Sequence, residues 1–273
     1  MVETLKELNQ VCQKPRYKEE GNWMVRTFLR DAALPVTWLV LHTPMTANQV
    51  TTLSLLIGLW GISLFAVPGA GMFLVGCLLL QLWYFLDHVD GQVARYRKTT
   101  GLNGRFFDFL THHLIHTSIF FSLGVYAFQM TESLFFIVWG FTASLAVLIF
   151  NLIHDTKYKT FVEALPHEKV FKINKTGDAD PVSKNPAAWA GVLSKVFSFF
   201  HKSSEIHVLM NLLTLGAVLE VCRVPLDFRL LYLFFYGCTL PLMSVVKITY
   251  LLMGHRIDEE FHAVFREVEA KGR

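Results

Sequence analysis

Between residues 87 and 116 the sequence runs DHVDGQVARYRKTTGLNGRFFDFLTHHLIH, with acidic and histidine side chains spaced as they would be on helices. Asp87 and Asp90 are three residues apart, so on a helix they share one face. Across a polar turn, Asp108 and His112 are four apart and share a face of the next helix. Gly91, Ala94 and Gly104 keep the neighbouring surface low, so a bulky ligand can approach the backbone, and Arg95 is one turn beyond Gly91, where it can contact phosphate. The carboxylates of Asp87, Asp90 and Asp108 at one depth in a membrane would repel one another unless cations lay between them. Hard oxygen donors of this kind suit Mg²⁺ or Mn²⁺, which are normally held by a few carboxylates together with substrate phosphates. The expected chemistry is a metal-bridged diphosphate site.

The elements that must position these residues are membrane helices. Of 273 residues, 53% are hydrophobic and 17% charged, with 24 Phe. Mean hydropathy is +0.40, too apolar for an ordinary soluble domain of this size. Apolar stretches recur near the roughly 20 residues that a helix needs to cross about 30 Å of hydrocarbon. Six spans are predicted, at about 48–67, 70–95, 105–128, 132–154, 205–222 and 228–252, with breaks at Pro68-Gly69 and Pro225. The fold class expected is an all-α integral membrane protein of six transmembrane helices preceded by an interfacial amphipathic helix. That helix is drawn from Asn22 to His42, where Trp23, Phe28, Leu29, Val36, Leu39 and Val40 mix with Arg26, Arg30 and Asp31. The same pattern also suits a helix packed on the rest of the protein.

The distribution of basic residues orients this drawing. Six Lys/Arg precede the first span, four flank the turn between the second and third, eight lie in 155–204 and four follow the last span. The outer turns carry Arg223 and Arg229 only, so the positive-inside rule places both termini in the cytoplasm. The first thirty residues are mixed-charge, and no cleavable signal is expected from them. Cys12, Cys77, Cys222 and Cys238 are widely spaced and imply neither a disulfide framework nor a zinc site. One membrane domain is expected over 1–273. Residues 1–46 form a cytoplasmic and interfacial segment, 47–154 carry spans one to four, 155–204 make a cytoplasmic connection, 205–254 carry spans five and six, and 255–273 are a tail. A net charge of +3 gives no reason to expect a nucleic-acid partner.

The stretch Asp87-x-x-Asp90-Gly91-x-x-Ala94-Arg95, a spacer of eight residues, then Gly104-x-x-x-Asp108 resembles the signature of the CDP-alcohol phosphotransferases. Seven of the eight fixed positions of that signature match. Thr46-Ala47-Asn48-Gln49-Val50-Thr51 is similar to the Thr-Pro-Asn-x-x-Thr stretch that opens the family's first span, with Ala47 in place of proline. The resemblance covers about residues 22–154. It implies a multi-pass membrane transferase in phospholipid or related biosynthesis. Such an enzyme moves a substituted phosphoryl group from a CDP-linked donor to an acceptor hydroxyl and releases CMP, at a site facing the cytoplasm. It further implies two Mg²⁺ or Mn²⁺ ions on Asp87, Asp90 and Asp108, a cytidine side at Gly91 and Ala94, and Gly104 and Arg95 beside the phosphates with Asn48 nearby. A homodimer is also implied, and the donor is either CDP-diacylglycerol or a small CDP-alcohol.

The sequence departs from the family at His112, which stands where the signature has its last aspartate, the position taken to receive the acceptor's proton. A neutral imidazole can do that work at ordinary pH. It can instead be a metal ligand, pushing the site toward Mn²⁺ or a softer ion, or mark altered chemistry. Two other classes compete for the same residues. One is an iron enzyme with histidine boxes, drawn from His88, His112, His113 and His116; the other is a membrane transporter or binding protein that coordinates an ion on its carboxylates.

Overall fold

Capping chemistry decides where the first long helix begins. The Thr46 hydroxyl accepts from the Gln49 amide at 3.3 Å while the Gln49 side chain accepts from the Thr46 amide at 2.8 Å, so two of the free donors at the helix start are satisfied reciprocally. The computed structural model describes residues 4–14, 17–19, 21–165, 171–173, 188–253 and 256–267. Before the cap come α1 (Leu5–Cys12), a π-helical turn (Val25–Leu29) and α2 (Arg30–Leu41). Then follow α3 (Ala47–Ser63, extended by a 3₁₀ turn over Leu64–Ala66), α4 (Ala70–Tyr96), α5 (Leu102–Thr131) and α6 (Leu134–Ala164). The remaining helices are α7 (Ala188–Ser203), α8 (Ile206–Val221), α9 (Phe228–Leu252) and α10 (Arg256–Val264). Two three-residue strands, β1 (Phe171–Ile173) and β2 (Phe265–Glu267), pair antiparallel with Phe171 opposite Glu267 and are the exception to helix among the described residues.

Among the described residues, four helices are long and apolar enough to cross a membrane: Ala47–Ala66, Ala70–Tyr96, Leu134–Ala164 and Phe228–Leu252. A fifth crossing results if Phe197–Ser203 and Ile206–Val221, bent by 70° at their junction, act as one span. The protein is therefore an all-α, multi-pass membrane protein. The stretch expected as the third span lies in the 30-residue α5, whose hydropathy is diluted by Asn103, Arg105, Asp108 and three histidines. The fourth runs on to Ala164, because its polar end packs Phe161 against Phe261 and Phe265 and pairs Lys157 with Glu260.

Helices in lipid gain little from the hydrophobic effect and associate through close packing. A Cβ on Gly61 would lie 2.8 Å from the Gly76 carbonyl oxygen, and one on Gly140 would lie 2.7 Å from the Gly124 Cα. These two backbone contacts seat α3 on α4 and α5 on α6. Trp83, Ile115, Phe120, Leu209 and Tyr236 fill the space between the long helices. On the C-terminal half of α4, Val89 and Val93 pack with Leu8, Cys12, Ala33 and Leu34 from α1 and α2. The segment before the first span is thus packed on the bundle along one face, while Trp23, Phe28 and Leu39 remain exposed on the other.

Candidate active site

Seating α4 and α5 each against α3 brings Asp87, Asp108 and His112, three of the four predicted ligands, together across two helices. His112 Nε2 lies 3.0 Å from Asp87 Oδ1 and 3.5 Å from Asp108 Oδ1. One ligand atom from each of the three residues falls within 4.8 Å of the others, as metal ligands require. The Trp83 ring meets the His112 ring edge-on at 5.0 Å and fixes its plane. The Asp108 side chain is 42% exposed and the Asp87 side chain 17%, so the cluster opens to the surface on the α5 side and is walled on the α4 side. Carboxylate oxygens with one imidazole nitrogen are a donor set for a divalent cation of the hard to borderline class. A partly buried metal-binding pocket is what this arrangement supports.

Asp90 stands apart from that group. It is buried at 8% exposure, and its Oδ2 accepts a hydrogen bond of 2.6 Å from the Thr51 hydroxyl of α3, while the charges of Asp87 and Asp108 act on it. Asn48 and Gly104 face one another across the mouth, where a Cβ on Gly104 would lie 3.8 Å from Asn48 Oδ1. Arg95 turns away from the carboxylates: its Nε donates to the Cys12 carbonyl and its guanidinium folds over Gly91, where a Cβ would come within 3.2 Å of it. Gly91 thereby makes room for this arginine. Ala94 sits at the end of α4, and its carbonyl accepts from the Thr99 amide of the turn.

Several supporting residues were outside the sequence expectation. Gln92 is fully buried, donates to the Arg30 carbonyl at 2.8 Å and accepts from Thr37 at 2.6 Å, which clamps α2 to the motif helix. Thr51 lay within the stretch used for the resemblance, but its partner 39 residues away was not readable.

Behind His112 a cavity of about 380 Å³ opens between α5, α6, the α7–α8 junction and α9. His112, His116, Asn151, Asp155, His207 and Lys247 are among its walls. Lys247 lies over the Phe150 ring at 4.0 Å and faces this space. Glu205, at the N-cap position of α8, makes no side-chain cap and lies 3.5 Å from His207 in the same wall. Asn211 joins helices, accepting from Gln81 at 3.2 Å.

The sequence profile of the CDP-alcohol phosphatidyltransferases matches residues 44–180, half of the chain and all of the cluster just described. The chain belongs to the CDP-alcohol phosphatidyltransferase family. It is a membrane-embedded transferase that moves a phosphoryl group from a CDP-alcohol donor to an acceptor hydroxyl. No curated protein matches it as a relative. Family membership accounts for the Asp-Gly-Ala-Arg pattern, which the iron-enzyme alternative leaves unexplained.

Proposed function

We propose that Asp87, Asp90 and Asp108 hold two divalent cations, Mg²⁺ or Mn²⁺, and that His112 receives the proton of the attacking hydroxyl. The observation that carries this is the Asp87–Asp108–His112 donor group on facing turns of α4 and α5. Cations bound there would neutralise the donor's diphosphate and the charge that develops during transfer. The acceptor oxygen attacks the β-phosphorus, the bond from that phosphorus to the CMP oxygen breaks, and CMP leaves with the electron pair. The proton passes to His112. Its Nε2 donates to Asp87 at 3.0 Å, which leaves Nδ1 to take that proton, and the two neighbouring carboxylates orient the ring and stabilise the imidazolium that forms. Thr51 holds Asp90 in one orientation, so that carboxylate needs no ordering when a cation arrives. The same short distances favour a second role for His112, as a third metal ligand. A neutral imidazole that ligates through Nε2 carries its hydrogen on Nδ1 and cannot also accept the proton.

In this reading Gly91 and Ala94 border the cytidine, and Asn48, Gly104 and Arg95 border the phosphates, Arg95 on leaving the Cys12 carbonyl. The donor is CDP-diacylglycerol or a small CDP-alcohol. The chain is one domain crossing the membrane six times. The polar half of α5 lines the site, and α7 with α8 supplies the fifth crossing. Both termini and the site face the cytoplasm, as the basic residues require, and the protein works as a homodimer.

The test is CMP release by the purified protein in detergent, screened over CDP-linked donors and hydroxyl acceptors. Chelation is expected to abolish release and Mg²⁺ or Mn²⁺ to restore it. Asp108→Asn is expected to lower it on the order of 10³-fold. Release that survives both chelation and this substitution would sink the metal assignment.

A further inference from the structure

An arginine of the motif helix holds the first helix of the chain in place. α1 has eight residues, too few to persist in water, where isolated helices shorter than about 12–15 residues are marginal. Its start is fixed by a capping box between Thr4 and Glu7, and its inner face by Leu8 and Cys12, which are fully buried against Val89 and Val93 of α4. Its last turn carries no basic side chain of its own. Arg95 supplies that cation from α4: its Nε donates to the Cys12 carbonyl, one of those that a helix end leaves without an internal partner.

The docking of α1 is incompletely satisfied. Gln13 donates to the Arg30 carbonyl at 3.2 Å and Arg30 to the Tyr17 carbonyl, yet Asn9 Oδ1 and Gln13 Oε1 are buried with no hydrogen-bond partner among the described residues. Buried acceptors left unpaired oppose burial, which puts α1 among the parts of the fold that open most easily. The same arginine also covers the surface on which the donor's cytidine is proposed to lie. Its guanidinium nitrogens stand 3.2 and 3.5 Å from where a Gly91 Cβ would be. A nucleoside reaches the Gly91 backbone only when the guanidinium moves off it. Nε is the guanidinium nitrogen nearest the main chain, so a swing that clears Gly91 also breaks its bond to Cys12.

We infer that α1 is an autoinhibitory latch released by the nucleoside diphosphate of the donor. Docked, α1 keeps Arg95 over Gly91 and away from the phosphates. An entering diphosphate draws the guanidinium to itself, α1 loses its C-terminal cation, and Leu8 and Cys12 leave their seat on α4. Docking and donor binding therefore oppose each other by the same factor. The latch rests on the donor reading above, and the residues that α1 contributes to it lie outside the family signature.

Cys12 reports the state of the latch in the full-length protein. Its labelling by N-ethylmaleimide in detergent, followed residue by residue by mass spectrometry, is compared with and without CDP and Mg²⁺, whose binding is measured by equilibrium dialysis. Saturating CDP–Mg²⁺ is expected to speed Cys12 labelling about tenfold or more, the worth of one hydrogen bond to a charged group. Cys77, buried in the bundle, is expected to stay unlabelled, which marks the opening as local. Leu8→Ala weakens the seat of α1 without touching the site. It is expected to raise Cys12 labelling in the absence of nucleotide and to tighten CDP–Mg²⁺ binding about tenfold, because more of the protein is then competent to bind. A helix that merely supports the site would weaken binding on the same substitution. CDP–Mg²⁺ that binds while Cys12 labelling is unchanged or slowed would overturn the latch and leave the donor reading standing. So would an unchanged or weakened affinity in Leu8→Ala. If neither the wild type nor Leu8→Ala binds CDP–Mg²⁺, the donor reading falls and the latch falls with it. Should Leu8→Ala fail to fold, the wild-type labelling decides by itself.

Discussion

At the scale of single residues, His112 carries the sharpest consequence of the structure, because its Nε2 is within reach of two carboxylates at 3.0 and 3.5 Å. Restoring the family's residue by His112→Asp separates its roles. If the imidazole is the proton acceptor tuned to this site, the substitution is expected to lower kcat by about 10²-fold, the scale of general-base contributions, with Mg²⁺ and Mn²⁺ affected alike. If the imidazole is chiefly a ligand, the substitution is expected to shift metal preference toward Mg²⁺ with kcat retained, measured as CMP release against metal concentration. Thr51 has a subtler part. Its hydroxyl is the partner of the buried Asp90 carboxylate at 2.6 Å. Thr51→Val is expected to weaken metal activation by about 10–100-fold, as loss of an outer-shell partner does, while Thr51→Ser restores it. The ligand types and their helical spacing were legible in the sequence. That Asp90 would be held by Thr51, outside the Asp87–Asp108–His112 group, was not, since nothing local links positions 39 residues apart.

At the scale of elements, the site depends on how closely α5 approaches its neighbours. Gly124 and Gly140 meet backbone to backbone, and a Cβ on Gly124 would lie 2.8 Å from both the Gly140 Cα and the Phe136 carbonyl oxygen. A side chain there must push α5 from α6. Gly124→Leu is expected to cost about 1–3 kcal/mol of stability, read as a lower midpoint of thermal unfolding in detergent. Because α5 carries Asp108 and His112, the same variant is expected to lose CMP release even where it folds. The helix boundaries were readable from the sequence to within a few residues at Ala70, Phe228 and Leu252, where proline, glycine and cap residues act locally. The extension of α6 to Ala164 was not, because Phe161 and Lys157 are held by α10 and β2, about a hundred residues on.

At the scale of the whole molecule, the two ends of the bundle are built for different purposes. The end with the cluster is open and holds its acidic residues near one another. The opposite end is locked: the Arg229 guanidinium stacks on the Tyr126 ring at 3.5 Å, donates to the Val67 carbonyl at 2.9 Å and lies 3.6 Å from the partly buried Glu220. Removing this cation strands Glu220 without its counter-charge. Arg229→Met is expected to destabilise the protein by about 3–5 kcal/mol, with Glu220→Gln in the same chain recovering part of the loss in thermal unfolding. The sequence by itself determined the membrane class, the catalytic signature and its one departure at His112, because hydropathy, helical spacing and residue type are local properties of the chain. Tertiary structure alone decided which carboxylates converge, that Arg95 folds back on the N-terminal helix, and that His116, Asn151, His207 and Lys247 enclose one cavity. Those relations join residues from helices far apart in sequence, and their positions are fixed by glycine contacts and side-chain packing that no local pattern encodes.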